Sequence, residues 1–216
     1  MINEQVSNAD SVYYGITRNN LLELVTGTPK RVLEIGCGDG ATLAALKQRG
    51  AGYVCGLEIN PKVAETTRAR PEIDDVIVGD VEAALSGFES GSFDVIIASH
   101  VLEHLVDPWK AVREFHRILT SDGQIVGAIP NIRHASVLLS LMKGRWQYEE
   151  SGILDWTHLR FFTKTSIAQL LNQGGFEATL SPDIAGGKSL LLSRLSFGTL
   201  NDFAAYAYNF KGIKSL

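Results

Sequence analysis

The sequence predicts an α/β protein, a doubly wound and mostly parallel sheet with helices on both faces. Three observations carry that prediction. Strand-length apolar runs alternate with helical patterns from Arg31 to about residue 131, the order that builds strand–helix–strand units. Several runs are dominated by Val and Ile without polar alternation, as in strands buried on both sides. The first run leads directly into glycines and a helix at Val32–Gly40, a unit found where a sheet edge meets a ligand.

Each element has its own local signals. Ser11–Val25 reads as an amphipathic helix, with Leu21, Leu22, Leu24 and Val25 near its end. Strands are expected at Arg31–Ile35, Tyr53–Glu58, Asp75–Gly79, Phe93–Ala98 and Gln124–Ile129. Ala41–Arg49 is the first connecting helix and stops at Gly50, a suitable C-terminal cap. Pro61–Ala69 follows Asn60, a capping residue before proline at the first helical position. Asp107 and Pro108 repeat that device for Pro108–Leu119, which sets Trp109, Val112, Phe115 and Leu119 at helical spacing.

After the fifth strand the rhythm breaks. Residues 132–162 hold two Trp, several other aromatics, two His and many charges, too much for a simple crossover. Lys164–Asn172 is helical again and ends at Gly174–Gly175. Phe176–Leu180 and Phe203–Phe210 are expected to close the sheet as an antiparallel pair, and Ser181–Asn201 between them has no clear pattern.

Composition narrows the function classes. At about 100–200 residues per domain, 216 residues make one domain with a core large enough to need no staples. The 20 Lys and Arg against 24 Asp and Glu argue against a broad nucleic-acid surface. Cys37 and Cys55 lie in apolar runs and make no disulfide framework. Met1–Asp10 is polar, and no run approaches a membrane span. A soluble, cytoplasmic enzyme is expected.

The glycine loop is the most informative segment. Gly36, Gly38 and Gly40 follow Val32–Ile35 and precede a helix, so the turn can tighten and lay its backbone against a ligand. Glu58 ends the second strand about 20 residues on, where a ribose hydroxyl would be gripped. Gly36, Gly38 and Ala41 also satisfy the dinucleotide pattern, so NAD stays open on glycines alone. Three features favour S-adenosylmethionine. Glu34 suits an ammonium group better than a pyrophosphate, Gly79-Asp80 closes the third strand with a carboxylate for an adenine amino group, and no second mononucleotide half follows.

These residues resemble a known family. Val32–Gly40, Leu57-Glu58-Ile59-Asn60, Gly79-Asp80, and Phe93–Ile97 leading into Val101–Pro108 are similar to class I S-adenosylmethionine-dependent methyltransferases of the broad group containing ubiquinone-biosynthesis O-methyltransferases. The resemblance spans roughly residues 11–180. It implies a Rossmann-like seven-stranded sheet with the last strand antiparallel and the cofactor over the C-terminal strand ends. It further implies that Gly36 and Gly38 approach the methionine moiety and that Glu34 orients its amino end. Glu58 takes the ribose hydroxyls, Asp80 the adenine amino group and Val81 a ring face. Ser99 lines the sulfonium side, Arg18 meets the cofactor carboxylate, and Tyr13 or Tyr14 caps the pocket. The chain then divides into an N-terminal cap helix (1–30), a cofactor half (31–131), and acceptor loops with closing strands (132–216).

The histidines raise separate questions. His100-Val101-Leu102-Glu103-His104 has the spacing of one zinc-peptidase motif, but that chemistry needs a helix and this segment crosses from strand to loop. In some related methyltransferases a Glu-x-x-Glu-His run here helps bind a divalent ion. This chain has His100 in place of the first Glu, so a loop-organising role for Glu103 and His104 is preferred and no metal is assigned; His158 or His134 would be the further ligand. Asp155–Thr163 contributes a base, a guanidinium and aromatic walls close together. His158 is the first candidate to take a hydroxyl proton, with His100 and His134 as rivals, and Arg160 suits an acceptor carboxylate or phosphate. Packing and loop-holding roles for Asp155–Thr163 weigh about equally. Gly187-Lys188-Ser189 echoes a phosphate loop but has Pro182 where glycine is required, and no clear buried strand precedes it.

The expected reaction is methyl transfer from S-adenosyl-L-methionine, by direct displacement, to a hydroxyl of a small-molecule or saccharide-like acceptor, leaving S-adenosyl-L-homocysteine. The alternatives are an NAD-dependent oxidoreductase and a non-catalytic cofactor-binding subunit.

Overall fold

A computed structural model of the protein describes residues 17–184, 187–196 and 198–215. Seven strands form one sheet: β1 Arg31–Ile35, β2 Tyr53–Glu58, β3 Asp75–Val78, β4 Phe93–Ser99, β5 Leu119–Pro130, β6 Phe176–Asp183 and β7 Ala207–Lys214. Their spatial order is β3-β2-β1-β4-β5-β7-β6. The pairs among β1 to β5 are parallel, whereas β7 runs antiparallel to both β5 and β6. The inserted antiparallel β7 separates this topology from the dinucleotide-binding order, which completes a second parallel half.

Buried Val and Ile on both faces explain the missing polar alternation. Successive side chains of a strand point to opposite faces. On β1, Leu33 and Ile35 join one core with Ile96, Phe115 and Phe210, while Val32 joins the other with Leu43, Val54, Val95 and Ile97. Burying such side chains stabilises the fold by roughly 1.5–3 kcal/mol each.

The helices are α1 Asn19–Leu22, α2 Ala41–Gln48, α3 Pro61–Arg68, α4 Val81–Ala84, α5 Pro108–Ile118, α6 Ala135–Met142, α7 Lys164–Gln173, α8 Lys188–Leu195 and α9 Asn201–Ala204 among the described residues. The predicted caps form. Asn60 accepts the Lys62 and Val63 amides, and Asp107 accepts the Lys110 amide. Thr163 and Ser166 make a reciprocal capping box for α7.

Three expectations change. Of the helix expected over Ser11–Val25, the described part is helical only at Asn19–Leu22, where Leu21 and Leu22 are buried. The closing strand was expected over Phe203–Phe210, but α9 occupies Asn201–Ala204 and β7 begins at Ala207. Asp202 at the start of that turn accepts the Tyr208 hydroxyl at 2.5 Å, which fixes the bend between them. The stretch without clear pattern contains the end of β6, and α8 over Lys188–Leu195. An edge strand therefore does precede Gly187, but its side chains alternate with solvent. Tyr13, Tyr14 and the start of the predicted N-terminal helix, residues 11–16, lie outside the described residues.

Candidate active site

The glycine loop joins the carboxyl end of β1 to α2. Gly36, Gly38 and Gly40 have φ of 64°, 55° and 77°, a left-handed region that costs side-chain-bearing residues about 1–2 kcal/mol. The loop is braced from three directions. Gly36 N–H donates to Leu57 O at 2.8 Å, the buried Thr67 hydroxyl donates to Gly38 O, and Arg70 pairs with Asp39. Thr67 and Arg70 escaped the sequence reading because they sit on and beyond α3, far from the loop in the chain.

Glu58 lies at the end of β2 and faces that loop. One carboxylate oxygen accepts the Gly38 amide at 3.0 Å and the other accepts the Asn60 amide at 2.9 Å. A carboxylate has about four lone-pair sites, so two remain for ribose hydroxyls. Asp80 follows β3, is exposed, and caps α4 through the Ala83 amide at 3.1 Å. Nothing would meet a Cβ built on Gly79 within 4 Å, so the space over that strand end is open.

Glu34 is buried in β1, and its Oε2 has no hydrogen-bond partner. Burial pushes its carboxyl up to about 8, with Asp39 and Glu58 adding to the rise and the Arg18 guanidinium and Thr42 hydroxyl opposing it. Arg18 also donates its main-chain N–H to Thr42 Oγ1 at 3.4 Å. Sequence reasoning missed Thr42, whose only signal is its place in the first turn of the helix after the glycines. The buried Ser99 Oγ at the end of β4 is likewise unpartnered. Unsatisfied buried acceptors and hydroxyls of this kind are rare and costly, and a cofactor amino group and sulfonium end would meet both. The donor set thus fits S-adenosylmethionine.

His100 follows Ser99 with φ 55°, the one side-chain-bearing residue with positive φ among the described residues. Its Nδ1 lies 3.2 Å from Glu103 Oε1. Glu103 is 1% exposed and its Oε2 has no partner. Leu102–His104 is a single 3₁₀ turn, so the helix a zinc peptidase needs does not form.

The segment expected to carry the acceptor side docks on this turn. Leu159 and Arg160 both donate their main-chain N–H groups to Glu103 O at 2.9 Å. His158 is buried, its Nδ1 is 3.0 Å from Ile153 O, and its ring packs edge-on to His104 at 4.7 Å. Burial lowers the His104 pKa, assisted by His158 and opposed by Glu103. Ligand atoms of Glu103, His104 and His158 all lie within 4.8 Å of one another.

The other candidates diverge. Arg160 Nη2 donates to Val106 O at 2.5 Å while its Nε is buried and unpartnered. His134 is drawn to Ser136 and Ser189, at 2.8 and 3.3 Å. Val81 sits half-buried in the first turn of α4.

Known proteins agree with this geometry. A family model described as a methyltransferase domain matches residues 13–181. A ubiquinone biosynthesis O-methyltransferase of Neisseria meningitidis is 27% identical over 154 residues, covering 68% of this chain and 64% of that protein. The chain therefore matches just under two thirds of that relative's length. The 27-O-demethylrifamycin SV methyltransferase of Amycolatopsis mediterranei is 30% identical over 99 residues, 44% of this chain and 36% of that one. Among solved structures, a SAM-dependent methyltransferase from Archaeoglobus fulgidus superposes with a TM-score of 0.66 at 18% identity, covering 91% of this chain and 90% of the other. The last likeness supports the fold alone. With its glycine loop, sheet order and family match taken together, the chain belongs to the class I S-adenosylmethionine-dependent methyltransferases.

Proposed function

We propose that the protein transfers the methyl group of S-adenosylmethionine to a hydroxyl oxygen of a small-molecule or saccharide-like acceptor. One observation carries the choice of oxygen. Glu103 meets both His100, the residue after Ser99, and the His104–His158 pair, which supports a role for these histidines in taking a hydroxyl proton near the sulfonium side. Relatives named as ubiquinone biosynthesis O-methyltransferases support the same choice.

The cofactor supplies an electrophilic methyl; the chain supplies alignment and proton handling. Glu34 and Arg18 orient the amino-acid end. Glu58 holds the ribose, and Asp80 and Val81 hold the adenine amino group and ring face. Gly36 and Gly38 let the main chain come close, and Ser99 lines the sulfur side. Donation of His100 Nδ1–H to Glu103 leaves Nε2 as the acceptor for a hydroxyl proton, worth about 10²–10⁴ in rate. His158 is the alternative base, since a bond from its Nδ1–H to Ile153 O leaves its Nε2 free. The unpartnered Nε of Arg160 suits an anionic group on the acceptor. Fixing the reacting atoms and excluding water supplies the rest.

A divalent ion fits the Glu103–His104–His158 group, which presents one unpartnered carboxylate oxygen and two imidazoles. Bound there, an ion would polarise an acceptor oxygen.

The test is incubation with S-adenosylmethionine and a panel of phenols, catechols, glycosides and amines. S-Adenosylhomocysteine release with O-methylated products is expected. Methylation of amines alone would overturn the oxygen assignment, and cofactor binding without product on any acceptor would favour a non-catalytic subunit.

A further inference from the structure

Gly38 is held by both of its main-chain polar groups. Its N–H donates to Glu58 Oε2 at 3.0 Å, at the end of β2, and its carbonyl accepts the hydroxyl of Thr67, in the last turn of α3. The next carbonyl, that of Asp39, accepts Arg70 Nε, while Arg70 Nη2 pairs with the Asp39 carboxylate. The second oxygen of that carboxylate accepts the amide of Ala41, the first residue of α2, at 3.1 Å. Two consecutive peptides at the tip of the glycine loop are thus tied to α3 and the residues just beyond it.

The ties reach outside the helix that carries them. The fully buried Thr67 hydroxyl also lies 3.1 Å from Val63 O, the carbonyl a helical threonine ordinarily bonds. One hydroxyl has one proton to donate, and Gly38 O stands nearer than Val63 O. Such close approach requires a glycine at position 40. A Cβ there would stand 2.6 Å from Thr67 Cγ2 and 3.6 Å from Arg70 Cδ.

Peptide orientation is what the ties decide. A trans peptide is planar, so its carbonyl and N–H point to opposite sides. Gly38 O on Thr67 therefore aims the Asp39 N–H away from α3. Asp39 O on Arg70 likewise aims the Gly40 N–H, which closes the turn on Cys37 O at 2.9 Å. Gly38 and Gly40 flank Asp39 at φ 55° and 77°, and glycine populates positive and negative φ about equally. The residues that let the main chain approach a ligand thus also let these peptides rotate. α3 reaches the other end of the site as well, since its cap Asn60 donates its N–H to Glu58 Oε1 at 2.9 Å.

We infer that Thr67 and Arg70 are positioning residues for the cofactor, fixing the Gly38–Asp39 and Asp39–Gly40 peptides so that the glycine loop keeps the form that accepts S-adenosylmethionine. Both act through the main chain of the loop, without contact to the cofactor. The inference rests on the proposed placement of the methionine end against Gly36 and Gly38. Without the ties the loop samples rotated peptides, and apparent affinity falls with the fraction of chains left competent.

The test is calorimetric titration with S-adenosylhomocysteine of the wild type, Thr67→Val, Thr67→Ser and Arg70→Met, with urea denaturation of each cofactor-free protein. Thr67→Val keeps the side-chain shape, removes the donor, and should bind about tenfold more weakly or worse, as for one lost hydrogen bond. Thr67→Ser keeps the hydroxyl and should stay within about threefold of wild type. Arg70, whose side chain is 34% exposed, gives a variant that folds even where Thr67→Val does not. Arg70→Met should also lose about tenfold in affinity. A merely structural role would lower the urea midpoint and leave the affinity of the folded protein unchanged. Wild-type affinity in Thr67→Val and Arg70→Met therefore overturns the inference, whatever their midpoints. So does an equal loss in Thr67→Ser and Thr67→Val, which would trace the effect to packing against Gly40. In each of these outcomes the wild type binds and the cofactor reading stands. A wild type that does not bind S-adenosylhomocysteine overturns the cofactor placement itself, and this inference with it.

Discussion

His100 Nδ1 lies 3.2 Å from Glu103 Oε1, and His100 holds a left-handed backbone, φ 55°, to make that contact. Strained residues of this kind cost of order 1–3 kcal/mol and persist where the surroundings over-determine them. Here the strained residue is tied to Glu103 in the 3₁₀ turn that follows β4. With a side chain 22% exposed, His100 is reachable from solvent, whereas the His158 residue is 8% exposed.

His100→Ala is expected to lower turnover on a hydroxyl acceptor by about 10²–10³ while leaving cofactor affinity unchanged. Near wild-type turnover in His100→Ala together with a collapse in His158→Ala would transfer the role of base to His158.

The carboxyl of Glu34, raised to about 8 by burial, predicts a specific pH response. A neutral Glu34 contributes stability that is complete below its ordinary value near 4.5 and is lost as pH rises through about 8. The cofactor-free protein should therefore lose stability over that window, and Glu34→Gln should melt higher than wild type above pH 8. The cofactor ammonium favours the ionised form, so binding near neutral pH should release a proton. Calorimetry in buffers of different ionisation enthalpy checks this, and a buffer-independent heat would contradict it.

Glu58→Ala removes the acceptor of two main-chain amides as well as the ribose contacts. A loss of about 2–4 kcal/mol in stability is expected from one buried and one part-buried charge-assisted bond, with S-adenosylhomocysteine binding weaker by at least about a hundredfold. Urea denaturation and calorimetry separate the two effects.

At Gly40, φ is 77° and a Cβ would stand 2.6 Å from Thr67 Cγ2. Gly40→Ala combines a strained backbone with overpacking and should cost about 2–4 kcal/mol by urea denaturation.

If the Glu103–His104–His158 group takes an ion rather than only organising its loop, a transition metal is expected in preference to magnesium, because two of its three ligands are imidazoles. Cobalt absorption in the visible region should appear on titration and vanish in Glu103→Gln.

Much of this was legible before the fold was known, for identifiable reasons. Val32–Ile35 and Phe93–Ala98 read as buried strands because both of their faces carry core residues. Asn60 and Asp107 read as caps because their side chains bond locally. β7 was misplaced because its second half, Lys211–Lys214, is polar and draws its pairing from β5 and β6 rather than from pattern. That His158 and not His134 meets Glu103 and His104 could not be chosen from the sequence, for a similar reason. It depends on two main-chain amides, Leu159 and Arg160, closing on Glu103 O, and amides leave no trace in residue identity.

The central claim, that the Gly36–Gly40 loop and Glu58 hold S-adenosylmethionine, is tested most directly by calorimetric titration of the wild-type chain with S-adenosylhomocysteine and, separately, with NADH. One S-adenosylhomocysteine per chain and no heat from NADH is the predicted result. Binding of NADH with no response to S-adenosylhomocysteine would contradict it.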